Sequence, residues 1–316
     1  MRRRLLAVTV CVLAALTSVA EPASASYVGR NGRIAFVRAN QIYTITPGGA
    51  GQVQLTSNGK NYRPKWSPDG KRIAYIHEAS ATSKDIWFMN ADGTGKSQVT
   101  HLGGVSGATW SPDGRQVAFG GAPCSTGPSY PGCAYLETVG TTAPYGTPSV
   151  VQGTFDPGTA LSDVSSVIGP PAWSPNGRVI TYASYSYPDS PDQYLLNYTV
   201  GTGVISLQDE IGGSCCGEGR ILLPQYSPGG ATLITTFTPW NQAATKHYPS
   251  RTRTEYGSAV GTKLGDTDAT FSPDGNEVAV VNAASGTAYI FIQSSTGTTT
   301  RNRLTAGYNP DWQSLH

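Results

Sequence analysis

One turn recurs along this chain, and that repetition limits the folds open to it. Trp66-Ser67-Pro68-Asp69-Gly70 returns as Trp110–Gly114, Trp173–Gly177, Tyr226–Gly230 and Phe271–Gly275, with Asn176 and Gly229 in the aspartate position of the third and fourth copies. The turn glycines are 44 to 63 residues apart. Ser, Pro, Asp or Asn, then Gly is the pattern of a type I turn ending on a residue that takes positive φ, which lets two strands pair as a hairpin. A period of this length marks a stack of supersecondary units.

Each turn leads into a short strand that is apolar on both faces, such as Ile73-Ala74-Tyr75, Val117-Ala118-Phe119 and Val278-Ala279-Val280. Strands of this kind lie between two packed neighbours. A third strand, a second turn and a fourth strand follow, as in Asp85–Asn90, Asp92-Gly93 and Ser97–Thr100. Four short strands per unit, repeating every 40–50 residues or so, describe a propeller blade. The first unit lacks its aromatic strand, and the chain ends on one, Asn309-Pro310-Asp311-Trp312. The two halves complete each other. The expected fold is an all-β, six-bladed propeller of four-stranded antiparallel blades, closed by the C-terminal strand joining the N-terminal blade, which hides exposed sheet edges.

Residues 62–100 carry Pro64-x-Trp66-Ser67-Pro68-Asp69-Gly70, then Ile86-Trp87-x-Met89-Asn90-Ala91-Asp92-Gly93-Thr94. This resembles the WD40-like repeat of TolB-type propellers, well over residues 30–120 and 268–313 and in outline over 170–235. The resemblance implies a TolB-like propeller without TolB's N-terminal domain. It bears on fold more than on function, and no G-x-S-x-G elbow of a hydrolase occurs.

The chain begins with Arg2-Arg3-Arg4, an apolar run and Ala23-Ser24-Ala25, the pattern of a secretory signal peptide. The expected division is a signal peptide over residues 1–25 and a propeller over 26–316, giving a secreted, extracytoplasmic protein with no membrane span, expected as a monomer. Without residues 1–25, Lys+Arg falls from 22 to 19 and Asp+Glu from 20 to 19. That balance offers no basic stripe for nucleic acid. Cys124, Cys133, Cys215 and Cys216 then remain, an even set that suggests disulfides. The Gly/Pro-rich segment between Cys124 and Cys133 favours a local bridge there.

Function should lie where the sequence leaves the repeat: residues 120–133, 153–170, 184–193, 209–220 and 238–252. All emerge on one face over blades 3 to 5, because second-to-third and fourth-to-first strand connections share a face. Loops on a rigid scaffold concentrate binding residues. Tyr130, Tyr185, Tyr187 and Trp240, with Asp189 and Glu218 as polar contacts, are the candidate ligand-binding set for a carbohydrate or a peptide. His77, His101, Asp266 and Asp268 enter from the same face as a candidate divalent-metal or acid/base set at the channel mouth. No other cofactor is expected. The leading expectation is a binding protein without catalysis. The alternative is an extracellular polysaccharide lyase or glycoside hydrolase using a carboxylate pair or a channel-bound metal.

Overall fold

The hydroxyl of Ser67 organises its turn: it donates to Asp69 Oδ1 at 2.6 Å and accepts from the Arg72 amide at 2.9 Å. The Gly70 amide closes the turn on the Ser67 carbonyl at 2.9 Å. The Ser111–Asp113 and Ser272–Asp274 bonds repeat this at 2.6 Å, and Ser174–Asn176 at 2.9 Å. Gly229 removes the side-chain acceptor from the fourth turn, yet Ser227 Oγ still accepts from the Thr232 amide at 3.0 Å. The turn glycines hold φ between 65° and 75°, and four of the five turns pack a proline of the preceding turn against this glycine. A Cβ at Gly230 would lie 3.2 Å from Pro175, and one at Gly70 would collide with the Ser314 carbonyl.

The structure, a computed structural model, describes residues 28–81, 83–123, 134–151, 154–155, 164–186, 193–211, 219–241, 246–247, 251–254, 265–296 and 300–316. The proposed signal peptide, Tyr130, Tyr187, Asp189, Glu218 and all four of the later cysteines lie outside them. The described residues contain no helix, hence none long and apolar enough to cross a membrane.

The described strands form sheets in chain order, antiparallel but for one added edge strand. Sheet 1 joins Tyr308–Leu315 to Arg30–Arg38, Gln41–Ile45 and Val53–Gln54, and sheet 2 holds Lys60–Trp66, Arg72–Ser80, Ser83–Asn90 and Ser97–Gln98. Sheet 3 runs from Ala108–Trp110 to Ser149–Val150, and sheet 4 from Val164–Trp173 to Val204–Ile211. Sheet 5 is built on Gly219–Tyr226 and Leu233–Asn241, and sheet 6 runs from Asp266–Phe271 to Arg301–Ala306. The C-terminal strand closes the ring as expected, with Trp312 opposite Ile34 and Asp311 opposite Ala35.

The expectation of six uniform four-stranded blades needs correction. Five sheets are four-stranded, not six; sheet 4 has five strands, because Thr154–Phe155 adds parallel to Val204–Ile211. An outer edge exposes unpaired backbone groups, and the long connection entering sheet 4 satisfies some of them. Sheet 5 is irregular too: Arg251–Thr254 pairs with the middle of Leu233–Asn241, while Lys246–His247 pairs with its tip.

The core is a ring of inter-sheet clusters. Phe88 of sheet 2 packs with Trp110 and Phe119 of sheet 3. Leu136 of sheet 3 meets Ile180 and Leu196 of sheet 4, and Leu195 meets Leu233 and Phe237 of sheet 5. Ile234 meets Phe271 and Val280 of sheet 6, Val281 meets Phe36 and Trp312 of sheet 1, and Ala35 meets Trp66 and Ile73 of sheet 2. Neighbours along one strand thus serve opposite interfaces, as Phe36 and Ala35 show, which is why these strands read as continuously apolar.

The departures from the repeat are shorter than the sequence suggests. Val164–Trp173 is strand, so 164–170 is not loop, and Val179–Ser186 and Leu233–Asn241 run on into the expected loops. Tyr185 and Trp240 were expected on loops; their backbones lie at strand ends, Tyr185 opposite Gln193 and Trp240 opposite His247. Hairpin pairing thus extends into these stretches.

Candidate functional site at the central channel

The inner strand of each of several sheets carries a local irregularity. Pairing slips between Tyr62 and Lys65, Ile168 and Ala172, Leu222 and Gln225, and Thr267 and Thr270. At the slip a single residue takes positive φ: Arg63 at 52°, Gly169 at 71°, Leu223 at 57°, Asp268 at 52°, and Asn309 at 50° in the closing strand. Non-glycine residues rarely adopt this conformation, and it marks a bulge that re-aims side chains. Pro64, Pro170, Pro224 and Pro310 follow four of the five and fix the next φ. All of these positions except Gly169 border one cavity of about 390 Å3, open ends included, which sheet 4 reaches through Pro170 and Pro171. It lies on the ring axis, since sheets 1, 2, 4, 5 and 6 all contribute to its wall.

The polar groups of the channel are mostly tied to one another. Lys65 Nζ lies 2.8 Å from Asp311 Oδ1 and donates to Gln225 Oε1 at 3.1 Å. Asp311 Oδ2 accepts the Trp66 amide at 2.8 Å. Burial pushes the Asp311 carboxyl above its ordinary value, and Lys65 only partly offsets this. Asn309 donates to Asp268 Oδ2 at 2.6 Å and accepts the Arg63 amide at 3.3 Å. Arg63 differs: its Nη1 is buried without a partner among the described residues. Burial pulls its pKa down, opposed by the field of Asp268.

His77, His101, Asp266 and Asp268 do not assemble. Among the described residues no group of three or more His, Cys, Asp or Glu side chains is placed to hold a metal ion. His77 Nδ1 donates to Asn61 Oδ1 at 2.8 Å, its ring sits 5.0 Å from that of Trp87, and burial lowers its pKa. Asp266 is fully buried, held by both oxygens to Arg301 Nη1 at 2.8 and 3.1 Å and by Asn282 at 2.7 Å. His101 is exposed. Only Asp268 reaches the channel wall. The pairs Asn61–His77 and Asp266–Asn282 occupy the same register, two residues before the left-handed position, where sheet 4 has Val167 opposite Ser184. They are alternative ways of filling one structural position, which explains polar residues there without a shared site.

Sequence reasoning missed Arg63, Lys65, Gln225, Asn309 and Asp311. A signal existed: Arg63-Pro64-Lys65-Trp66 and Asn309-Pro310-Asp311-Trp312 place charged or polar residues inside otherwise packed strands. The repeat drew attention to the aromatic instead.

A closed ring of antiparallel sheets around a polar channel agrees with the solved structures this chain resembles. It superimposes on TolB from Acinetobacter baumannii with a TM-score of 0.64 at 19% identity, over 90% of this chain and 67% of that one. The fold is that of a TolB-like β-propeller. A chain of a nidogen/laminin complex matches with a TM-score of 0.59 at 9% identity, over 90% and 99% of the two chains. An oligogalacturonate lyase in complex with manganese matches at 0.50 and 14% identity, over 88% and 74%. Identities this low speak of fold alone. No family model matches the chain.

Proposed function

We propose that this TolB-like propeller is an exported binding protein that takes a carbohydrate or peptide ligand at the mouth of its channel, on the face carrying the long connections of sheets 3 to 5. One observation carries the reading: five sheets, four of them through proline-fixed strands, converge on one cavity whose polar groups are preorganised by mutual hydrogen bonds. Preformed concave sites with a few convergent polar groups are the usual places for ligands. Tyr130, Tyr185, Tyr187 and Trp240, with Asp189 and Glu218, are proposed as the rim. The strand-end positions of the Tyr185 and Trp240 backbones support this. Export rests on the leader-like pattern of residues 1–25.

The rival is a carbohydrate-active enzyme, a lyase or glycoside hydrolase. The likeness to an oligogalacturonate lyase supports its fold and leaves its chemistry open. The channel carboxylates count against it, because Asp311 is engaged by Lys65 and Asp268 by Asn309.

Both readings meet one experiment. Purified protein is screened against polysaccharides and peptides for binding and for depolymerisation, alongside Trp240→Ala. Binding without turnover, weakened in the variant at unchanged melting temperature, supports the proposal. Depolymerisation sinks it in favour of the rival.

A further inference from the structure

The channel's other polar side chains have partners, and Arg63 stands out against them. Its Nη1 is buried and unbonded, and the guanidinium reaches across to sheet 4, where a Cβ on Gly169 would sit 3.6 Å from Nη1 with no other atom within 4 Å. Because position 169 has no side chain, a gap about one methyl group wide faces Nη1 there. An uncompensated buried cation is unfavourable until a counter-charge reaches it. Arg63 makes no ion pair among the described residues: Asp268 acts on it only through its field, and its Oδ2 is occupied by Asn309.

We propose that the channel holds a carboxylate-binding site in which the Arg63 guanidinium, beside Gly169, receives one carboxylate group of an entering ligand. The planar fork of a guanidinium matches a carboxylate. Charge decides between anions: Lys65, the other cation lining the channel, is already held by Asp311, and Asp268 lines the channel beside Arg63, so a dianion such as phosphate is repelled more strongly by that carboxylate where a monocarboxylate gains a donor at smaller cost. The proposal deepens the reading of the channel as a ligand site. The carboxylate can belong to a small free acid or to the end of a peptide.

Acetate, triglycine and C-terminally amidated triglycine are titrated calorimetrically into wild type, Arg63→Ala, Arg63→Lys and Asp268→Asn, with chloride and phosphate at matched ionic strength. Wild type should bind acetate over chloride and phosphate. Arg63→Ala should lose at least about tenfold in affinity, with Arg63→Lys between the two, since Lys keeps the charge without the fork. Asp268→Asn, which keeps an acceptor for Asn309 and tolerates positive φ, should tighten acetate about two- to fivefold by removing a nearby negative charge. That gain is a readout which a purely structural role for Arg63 would not produce. Triglycine binding more tightly than acetate, with the amide silent, assigns a chain end; acetate binding alone assigns a free acid. Chloride or phosphate binding as well as acetate, an unchanged Arg63→Lys, or no gain in Asp268→Asn overturns the site. Binding in the polysaccharide and peptide screen with acetate silent overturns the channel site and leaves the rim standing, and acetate binding with the screen silent does the reverse, so a failed rim and a failed channel site give different patterns.

Discussion

The ammonium of Lys65 lies 2.8 Å from the carboxylate of Asp311, a residue 246 positions later in the chain. The pair ties the inner strand of sheet 2 to the strand that closes the ring. Asp311 has little exposed surface, at 7% of its side chain, against 22% for Lys65. Breaking a largely buried pair leaves the other charge uncompensated. Asp311→Ala should therefore destabilise the fold by about 3 kcal/mol, more than Lys65→Ala, because the aspartate also accepts the Trp66 amide. Urea unfolding of both single variants and the double variant checks this, and purely additive effects would remove the coupling.

Ring closure predicts a large effect of truncation. Deleting residues 308–316 unpairs Arg30–Arg38 along one edge and strips Trp312 from the cluster between sheets 1 and 6. The melting temperature should fall steeply, and Trp312→Ala alone should cost about 3–5 kcal/mol. A truncated protein that melts like the full chain contradicts the closure.

Trp110 tests the inter-sheet core. It stacks on Phe88 at 4.8 Å, lies 4.9 Å beneath the Arg72 guanidinium, and donates from Nε1 to the Lys65 carbonyl at 3.0 Å. Trp110→Ala should cost about 3–5 kcal/mol in chemical denaturation. Trp240→Ala, at a strand end, should cost far less.

The turn aspartates set an acid limit. Burial pushes Asp69, Asp113 and Asp274 up, but the serine hydroxyl and the amide two residues on outweigh it and hold all three below the ordinary carboxylate range. A lowered folded pKa gives stability that is present above the unfolded value, ~3.9, and is lost as pH falls through the folded one. Asp311, shifted the other way, loses its contribution as pH rises from that value. Melting temperatures between about pH 5 and 2 should fall less steeply in a triple Asp→Asn variant of the turns than in wild type. The chain already carries the control: Asn176 accepts the Ser174 hydroxyl and the Arg178 amide at 2.9 and 3.0 Å.

The sequence alone determined the turns, the four-strand unit and the closing role of Trp312, because each follows from local chemistry repeated in register: a serine and an aspartate satisfying a turn, a glycine at positive φ, strands apolar on both faces. Tertiary structure decided the rest. Thr154–Phe155 joins sheet 4 through edge groups that no local pattern announces. Asp266 and His77 looked like members of one site, yet each fills a position within its own sheet. Arg63 and Gly169, or Lys65 and Asp311, are unremarkable in sequence, since their meaning comes from different sheets brought together at a channel that exists only once the ring has closed. Local hydrogen bonding and periodicity are written within a few residues, whereas charges that meet beside an axis depend on the whole circuit of the chain.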